Sequence, residues 1–325
     1  MEGKALPLHH DNKPAEKRGP KRPTAPPSTS LTAPCTPKIS STRALTGPRR
    51  YSTASARCCC CATPLCGLCC LLAILLTAPD LVGGALLGAL AGLLTAQARG
   101  YDRADRQAGL YCYNGVLIGI LISAVLPWSV MLPPLIIAAG GLSSIITHQW
   151  RKRGGKLLIA YTAPFVLLGW ATLLITSPAP SGFVEADPLQ ALARGVGQIF
   201  LLDQPWAGLL IIVGMFIANP YAAMWAVIGS AIGGGVALLA DQAQGAWLGL
   251  YGFNAALAAL AFSRQGEKPW VTLLAIALAL LLQPLFKLLP VPGLTAPFVA
   301  ACWLMHVAGH LGHRTQKDSS HQLPN

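Results

Sequence analysis

Apolar residues in this chain come in long blocks, broken by short polar or Pro-containing stretches. One series of blocks covers 65–77, 81–98, 110–126, 133–146 and 157–175. A second covers 206–218, 221–240, 248–262, 270–289 and 294–309. A helix that is apolar on every side belongs in a bilayer, and about twenty such residues cross its hydrocarbon core. The pattern therefore predicts an all-α polytopic membrane protein with ten spans, five per half. Block 191–202 is too short to cross and predicts a half-membrane or interfacial helix. Block 81–98 is rich in Gly and Ala, which lets a neighbouring helix approach closely.

The two series are related in sequence. Gly109-Leu110-Tyr111-Cys112-Tyr113-Asn114-Gly115-Val116-Leu117 returns as Gly249-Leu250-Tyr251-Gly252-Phe253-Asn254-Ala255-Ala256-Leu257. Thr162-Ala163-Pro164-Phe165-Val166 returns as Thr295-Ala296-Pro297-Phe298-Val299. The chain divides into a basic tail (1–57), a first transmembrane repeat (58–177), a linker (178–190), a second repeat (191–311) and a C-terminal tail (312–325). An odd number of spans per half inverts one half relative to the other, an arrangement used for transport paths at the repeat interface.

Composition agrees: 53% of residues are hydrophobic and 11% charged. The formal charge of +12 suggests nucleic acid until it is located. Residues 1–57 hold eleven Lys/Arg and three Asp/Glu, in a Pro/Ser/Thr-rich stretch that cannot bury a core. Its apolar stretch begins too late for a cleaved leader. Basic clusters at 99–106, 151–156, Arg264/Lys268 and Arg314/Lys317 all fall on one side of the predicted topology. That side is the cytoplasm, which places both termini there, and the acidic linker at 185–187 lies opposite.

Eight of the ten cysteines lie between Cys35 and Cys70. Four adjacent cysteines suit no ordinary metal spacing, and juxtamembrane palmitoylation is the other direct reading. A third reading is a frame artefact extending to about residue 71. A CTG-rich leucine run becomes cysteines one base out of frame. In one choice of codons, the shifted segment places Gln and Pro seven apart, as Gln198 and Pro205 are. Resequencing the gene tests this hypothesis, and an intact frame would sink it.

Candidate chemistry follows from polar groups inside the apolar blocks. Thr162 and Thr295 each precede an Ala-Pro, so they are either helix caps or hydroxyls placed along a path. Asn114 and Asn254 are either packing hydrogen bonds between helices or part of that path. Tyr113 and Phe253, with Leu117 and Leu257 one turn on, are either core or two walls of a flat slot. Gln198 is either a surface amide or a donor and acceptor at a pore mouth, with a helix N-terminus expected near it. His306, His310 and His313 share a helical face, and a solvated terminal face accounts for them better than metal ligation. With no acidic residue inside a predicted span, a carboxylate relay is excluded. No grouping of nucleophile and base suggests an enzyme. A path of amides, hydroxyls, carbonyls and aromatics suits a small neutral solute that forms hydrogen bonds.

Over about 71–309 these motifs resemble the urea transporter family, of the bacterial type. The motifs are the duplicated Tyr/Phe-Asn and Thr-Ala-Pro-Phe elements, and Gly197-Gln198-Ile199 ahead of Asp203-Gln204-Pro205-Trp206-Ala207-Gly208. The resemblance implies two inverted five-helix halves, each with a half-membrane pore helix, around one central pore per subunit of a homotrimer. It implies passive, channel-like urea transport across the cell inner membrane, with no cofactor or metal. It sets Tyr113, Leu117, Phe253 and Leu257 on the slot walls, Thr162 and Thr295 on oxygen ladders, and Gln198 at a pore mouth. Two departures stand out. Arg57 occupies the place of a partner for Gln198, and Ala62-Thr63-Pro64 replaces an Asn/Asp-Pro element. Other small neutral solutes, such as short amides or ammonia, are the alternative cargo; an intramembrane enzyme is the more distant one.

Overall fold

A computed structural model describes residues 63–155, 157–176, 182–263 and 268–320, with side chains described to residue 311. Described residues are helical or irregular, with no strand among them. The helices are α1 (Pro64–Thr77), α2 (Pro79–Ala98), α3 (Arg103–Gln107), α4 (Tyr113–Val125), α5 (Leu132–Gly154), α6 (Ala163–Leu173), α7 (Pro188–Gly197), α8 (Pro205–Ala218), α9 (Pro220–Leu239), α10 (Ala243–Trp247), α11 (Gly252–Phe262), α12 (Pro269–Phe286) and α13 (Ala296–Ser320). The Cys58–Cys61 run, Arg57 and the frame hypothesis lie outside the described residues.

Helix starts follow local chemistry. Proline stands at the first turn of α1, α2, α5, α6, α7, α8, α9 and α12, where its missing N–H leaves no orphan donor. Thr63 caps α1 by accepting from the Cys66 N–H at 3.3 Å, so the departure from Asn/Asp-Pro still closes this helix. Asn219 caps α9 in the same way, through the Ala222 N–H at 3.2 Å. Asp187 accepts from the Leu189 and Gln190 N–H groups, which starts α7 three residues before the predicted block.

Among the described residues, three helices are long and apolar enough to cross a membrane alone: α2, α9 and α12. The bent pair Pro188–Phe200 and Pro205–Ala218, kinked by 75°, passes the same test as one broken span or re-entrant loop. The ten-span expectation needs correcting in its lengths. α4, α6 and α11 have 13, 11 and 11 residues, rising only about 16–20 Å. The predicted blocks began earlier because residues 110–112, 157–162 and 248–251 are apolar, yet their backbone is irregular. Apolarity alone does not separate helix from buried, unwound chain.

Two pairs of corresponding helices pack in corresponding ways, α2 on α4 as α9 on α11 and α4 on α5 as α11 on α12, whereas α2 packs extensively on α5 and α9 only marginally on α12. α1 packs on α8, its counterpart in the other half. The α2–α4 contact is backbone on backbone. A Cβ added at Gly88 would lie 2.0 Å from the Gly115 carbonyl oxygen, so only glycine fits there.

Candidate functional site

Two irregular segments, just before α6 and just before α13, are the centre of the molecule. Each contains one residue in the left-handed region, Tyr161 at φ 40° and Leu294 at φ 48°, a strained conformation for a side chain of that size. The surrounding structure must hold them, and the two conserved-in-repeat asparagines do so. Asn114 donates to the Tyr161 carbonyl at 3.2 Å and accepts from the Phe165 N–H at 3.3 Å. Asn254 donates to the Leu294 carbonyl at 3.2 Å and accepts from the Phe298 N–H at 3.3 Å. Both side chains are buried, so each amide supplies backbone partners that water cannot.

The threonines that follow meet each other. Thr162 and Thr295 share a hydrogen bond between their hydroxyls at 2.7 Å, both side chains being buried. The cap reading is corrected for Thr162, whose side chain makes no capping bond to α6. Two indoles frame this contact reciprocally. Trp170 on α6 donates to the Pro292 carbonyl at 3.0 Å, and Trp303 on α13 donates to the Ile159 carbonyl at 2.8 Å. Each half thus binds the unwound segment of the other by the same kind of bond.

The wall candidates are brought near this centre in two groups. Leu117, buried, and Tyr113 pack with Phe165, Val166 and Ala296. Phe253 and Leu257 pack with Val196, Ile199 and Leu202. Phe200 and Leu201, in the bend between α7 and α8, touch both groups. Sequence reasoning passed over these two, since a Phe-Leu pair in an apolar block carries no distinctive signal. Tyr113 donates its hydroxyl to the Tyr161 carbonyl, so the extra oxygen relative to Phe253 reinforces the strained segment of the first half.

Gln198 is half-buried, and its amide donates to the Leu248 carbonyl at 3.3 Å. Gln198 lies at the C-terminal end of α7, and the next helix N-terminus along the chain is that of α8 at Pro205. The dipole end there is negative. One turn earlier lies Arg194, a buried cation that sequence reasoning overlooked. A lone arginine in an apolar block was the available signal.

His306 is also corrected. Rather than facing solvent, it shares a hydrogen bond with the Tyr161 hydroxyl at 2.9 Å and packs beside Phe262. Among the described residues no group of His, Cys, Asp or Glu could hold a metal ion.

Apolar helices, a bent helix pair and paired breaks held by buried amides define a polytopic helical membrane protein of the transporter class. A family model described as urea transporter matches residues 57–310, and the chain belongs to that family. It is similar to urea transporter 1 of Ovis aries, 28% identical over 276 residues that cover 74% of this chain and 71% of the relative. It is also similar to urea transporter 1 of Mus musculus, at 29% identity, covering 67% of this chain and 63% of the relative. The urea transporter 1 of Rattus norvegicus is 30% identical over 227 residues, covering 60% and 57%.

Proposed function

We propose that this protein is a passive, channel-like route for urea, built from two inverted halves around one pore. The observation that carries this reading is the Thr162–Thr295 hydroxyl pair, 2.7 Å apart and framed by reciprocal Trp170 and Trp303 bonds. A urea carbonyl accepts and its amino groups donate, so a solute at this point can replace the threonine–threonine bond with bonds of its own. The Leu294 carbonyl beside Thr295 accepts one protein donor and has a second lone pair with which to extend the row of acceptors, which in a membrane occurs where backbone lines a protected path. Tyr113, Leu117, Phe253 and Leu257 form the walls that admit a flat molecule edge-on. Gln198 stands at one mouth, where its side-chain oxygen can accept from the solute. No step of covalent chemistry is required, and binding must be weak enough for release.

In this reading α7 is the pore helix of the second half. The bacterial-type assignment, with an inner-membrane location, cytoplasmic termini and a homotrimer, rests on the sequence motifs and charge distribution.

Stopped-flow uptake into proteoliposomes tests the reading. Urea should enter at a rate proportional to its gradient and independent of an ion gradient, with N-methylurea and acetamide slower. Equal passage of all three would replace urea with a broader class of small amides. No uptake by intact protein would overturn the assignment.

A further inference from the structure

We propose that Arg194 is a positioning residue for the transport path, fixing the spacing between the α7–α8 bend and the wall carried by Phe253. The proposal rests on the urea-path reading above. Arg194 lies on α7, is 8% exposed, and spreads its guanidinium over three acceptors in different parts of the chain. Its Nε donates to the Asp203 carbonyl at 3.1 Å, inside the bend. One terminal nitrogen donates to the Trp247 carbonyl at 3.2 Å, at the end of α10. The other donates to Gln190 Oε1 at 2.9 Å, and Gln190 is itself held by Asp187 at 2.8 Å.

Trp247 and Leu248 supply adjacent carbonyls, the first to Arg194 and the second to Gln198. Two side chains one turn apart therefore grip the turn that leads through Gly249 to Phe253. That turn also sits directly on α7, since a Cβ at Gly249 would lie 2.4 Å from the Gly195 nitrogen. The bend held through Asp203 carries Phe200 and Leu201, which pack against the two buried clusters that also back Tyr113 and Phe253. A planar fork can hold the two sides at a fixed separation, whereas an ammonium on a flexible stem meets these acceptors as a point charge. A site held within about half an ångström discriminates between solutes that a looser one passes.

The test compares Arg194→Lys and Arg194→Gln with wild type, using urea and N-methylurea as probes in proteoliposomes. Ser230→Ala serves as a packing control, because it removes only the Ser230 bond to the Leu192 carbonyl of α7. Both Arg194 variants should raise the N-methylurea-to-urea flux ratio roughly tenfold, while Ser230→Ala keeps the wild-type ratio. A wild-type ratio in Arg194→Lys, or a shifted ratio in Ser230→Ala, overturns the proposal while urea flux stands. An Arg194→Lys chain that does not fold assigns the residue to folding and overturns it too. Wild type with no urea flux removes the underlying reading, and the proposal with it.

Discussion

Thr162 and Thr295 stand at equivalent positions of the two halves, and their hydroxyls lie 2.7 Å apart in a buried setting. Each is the other's polar partner across the junction. Replacing either one by the isosteric valine leaves the remaining hydroxyl unpaired, at a cost of about 1–2 kcal/mol. Replacing both removes donor and acceptor together and should recover most of that loss. Urea flux should behave differently, falling roughly tenfold in each single variant and further in the double. Thermal denaturation in detergent and stopped-flow uptake read the two effects separately. A double variant that transports normally would remove the threonines from the path.

Asn114 and Asn254 each satisfy a carbonyl and an N–H of a strained segment. Asn254→Leu keeps the volume but strands both backbone groups in an apolar interior, a loss of about 2–5 kcal/mol. The loss for Asn114→Leu should be smaller, because Tyr113 also donates to the Tyr161 carbonyl. Denaturation midpoints of the two variants check the order, and equal losses would contradict it.

Two glycines of the second half should respond in opposite ways to alanine. Gly249 has φ +74°, and a Cβ there would meet the Gly195 nitrogen at 2.4 Å. Gly249→Ala should cost about 3 kcal/mol or more, from left-handed strain and the clash with backbone that cannot move aside. Gly234 lies inside α9 with nothing within 4 Å of an added Cβ. Gly234→Ala should be neutral or stabilise by about 0.5–1 kcal/mol. Comparing the two melting temperatures tests whether the turn before Phe253 is set by backbone contact.

His148 lies beyond the apolar stretch of α5, stacked on Tyr101 at 3.7 Å between ring centroids, with Nδ1 3.2 Å from the Tyr111 hydroxyl. Desolvation, then Lys152 and Arg151 from its own helix, hold its pKa below the ordinary histidine value, with Asp105 of α3 opposing. A depressed folded-state pKa favours the neutral ring. The stabilisation is therefore present above the unfolded value of 6.5 and is lost as pH falls through the folded one. Melting temperature should decline as pH drops below about 6.5, and His148→Asn should flatten that part of the profile. An unchanged profile in the variant would assign the acid sensitivity to other groups.

Apolar blocks, proline-marked helix starts and the duplicated Tyr/Phe-Asn and Thr-Ala-Pro-Phe elements were legible in the sequence. They reflect local rules: desolvation cost sets which stretches enter the membrane, and backbone sterics set where a helix can begin. The same rules marked Thr162, Thr295 and Gln198 as polar groups in costly places. Tertiary structure alone decided what those groups do. It made the threonines partners of each other, tied Asn114 and Asn254 to strained carbonyls, and joined Gln198 to the Leu248 carbonyl. It also shortened α4, α6 and α11 and spread Arg194 across the α7–α8 bend and the α10 carbonyl. A hydrogen bond between residues far apart in the chain depends on the path of everything between them. No local pattern encodes which buried donor will find which acceptor, only that each must find one.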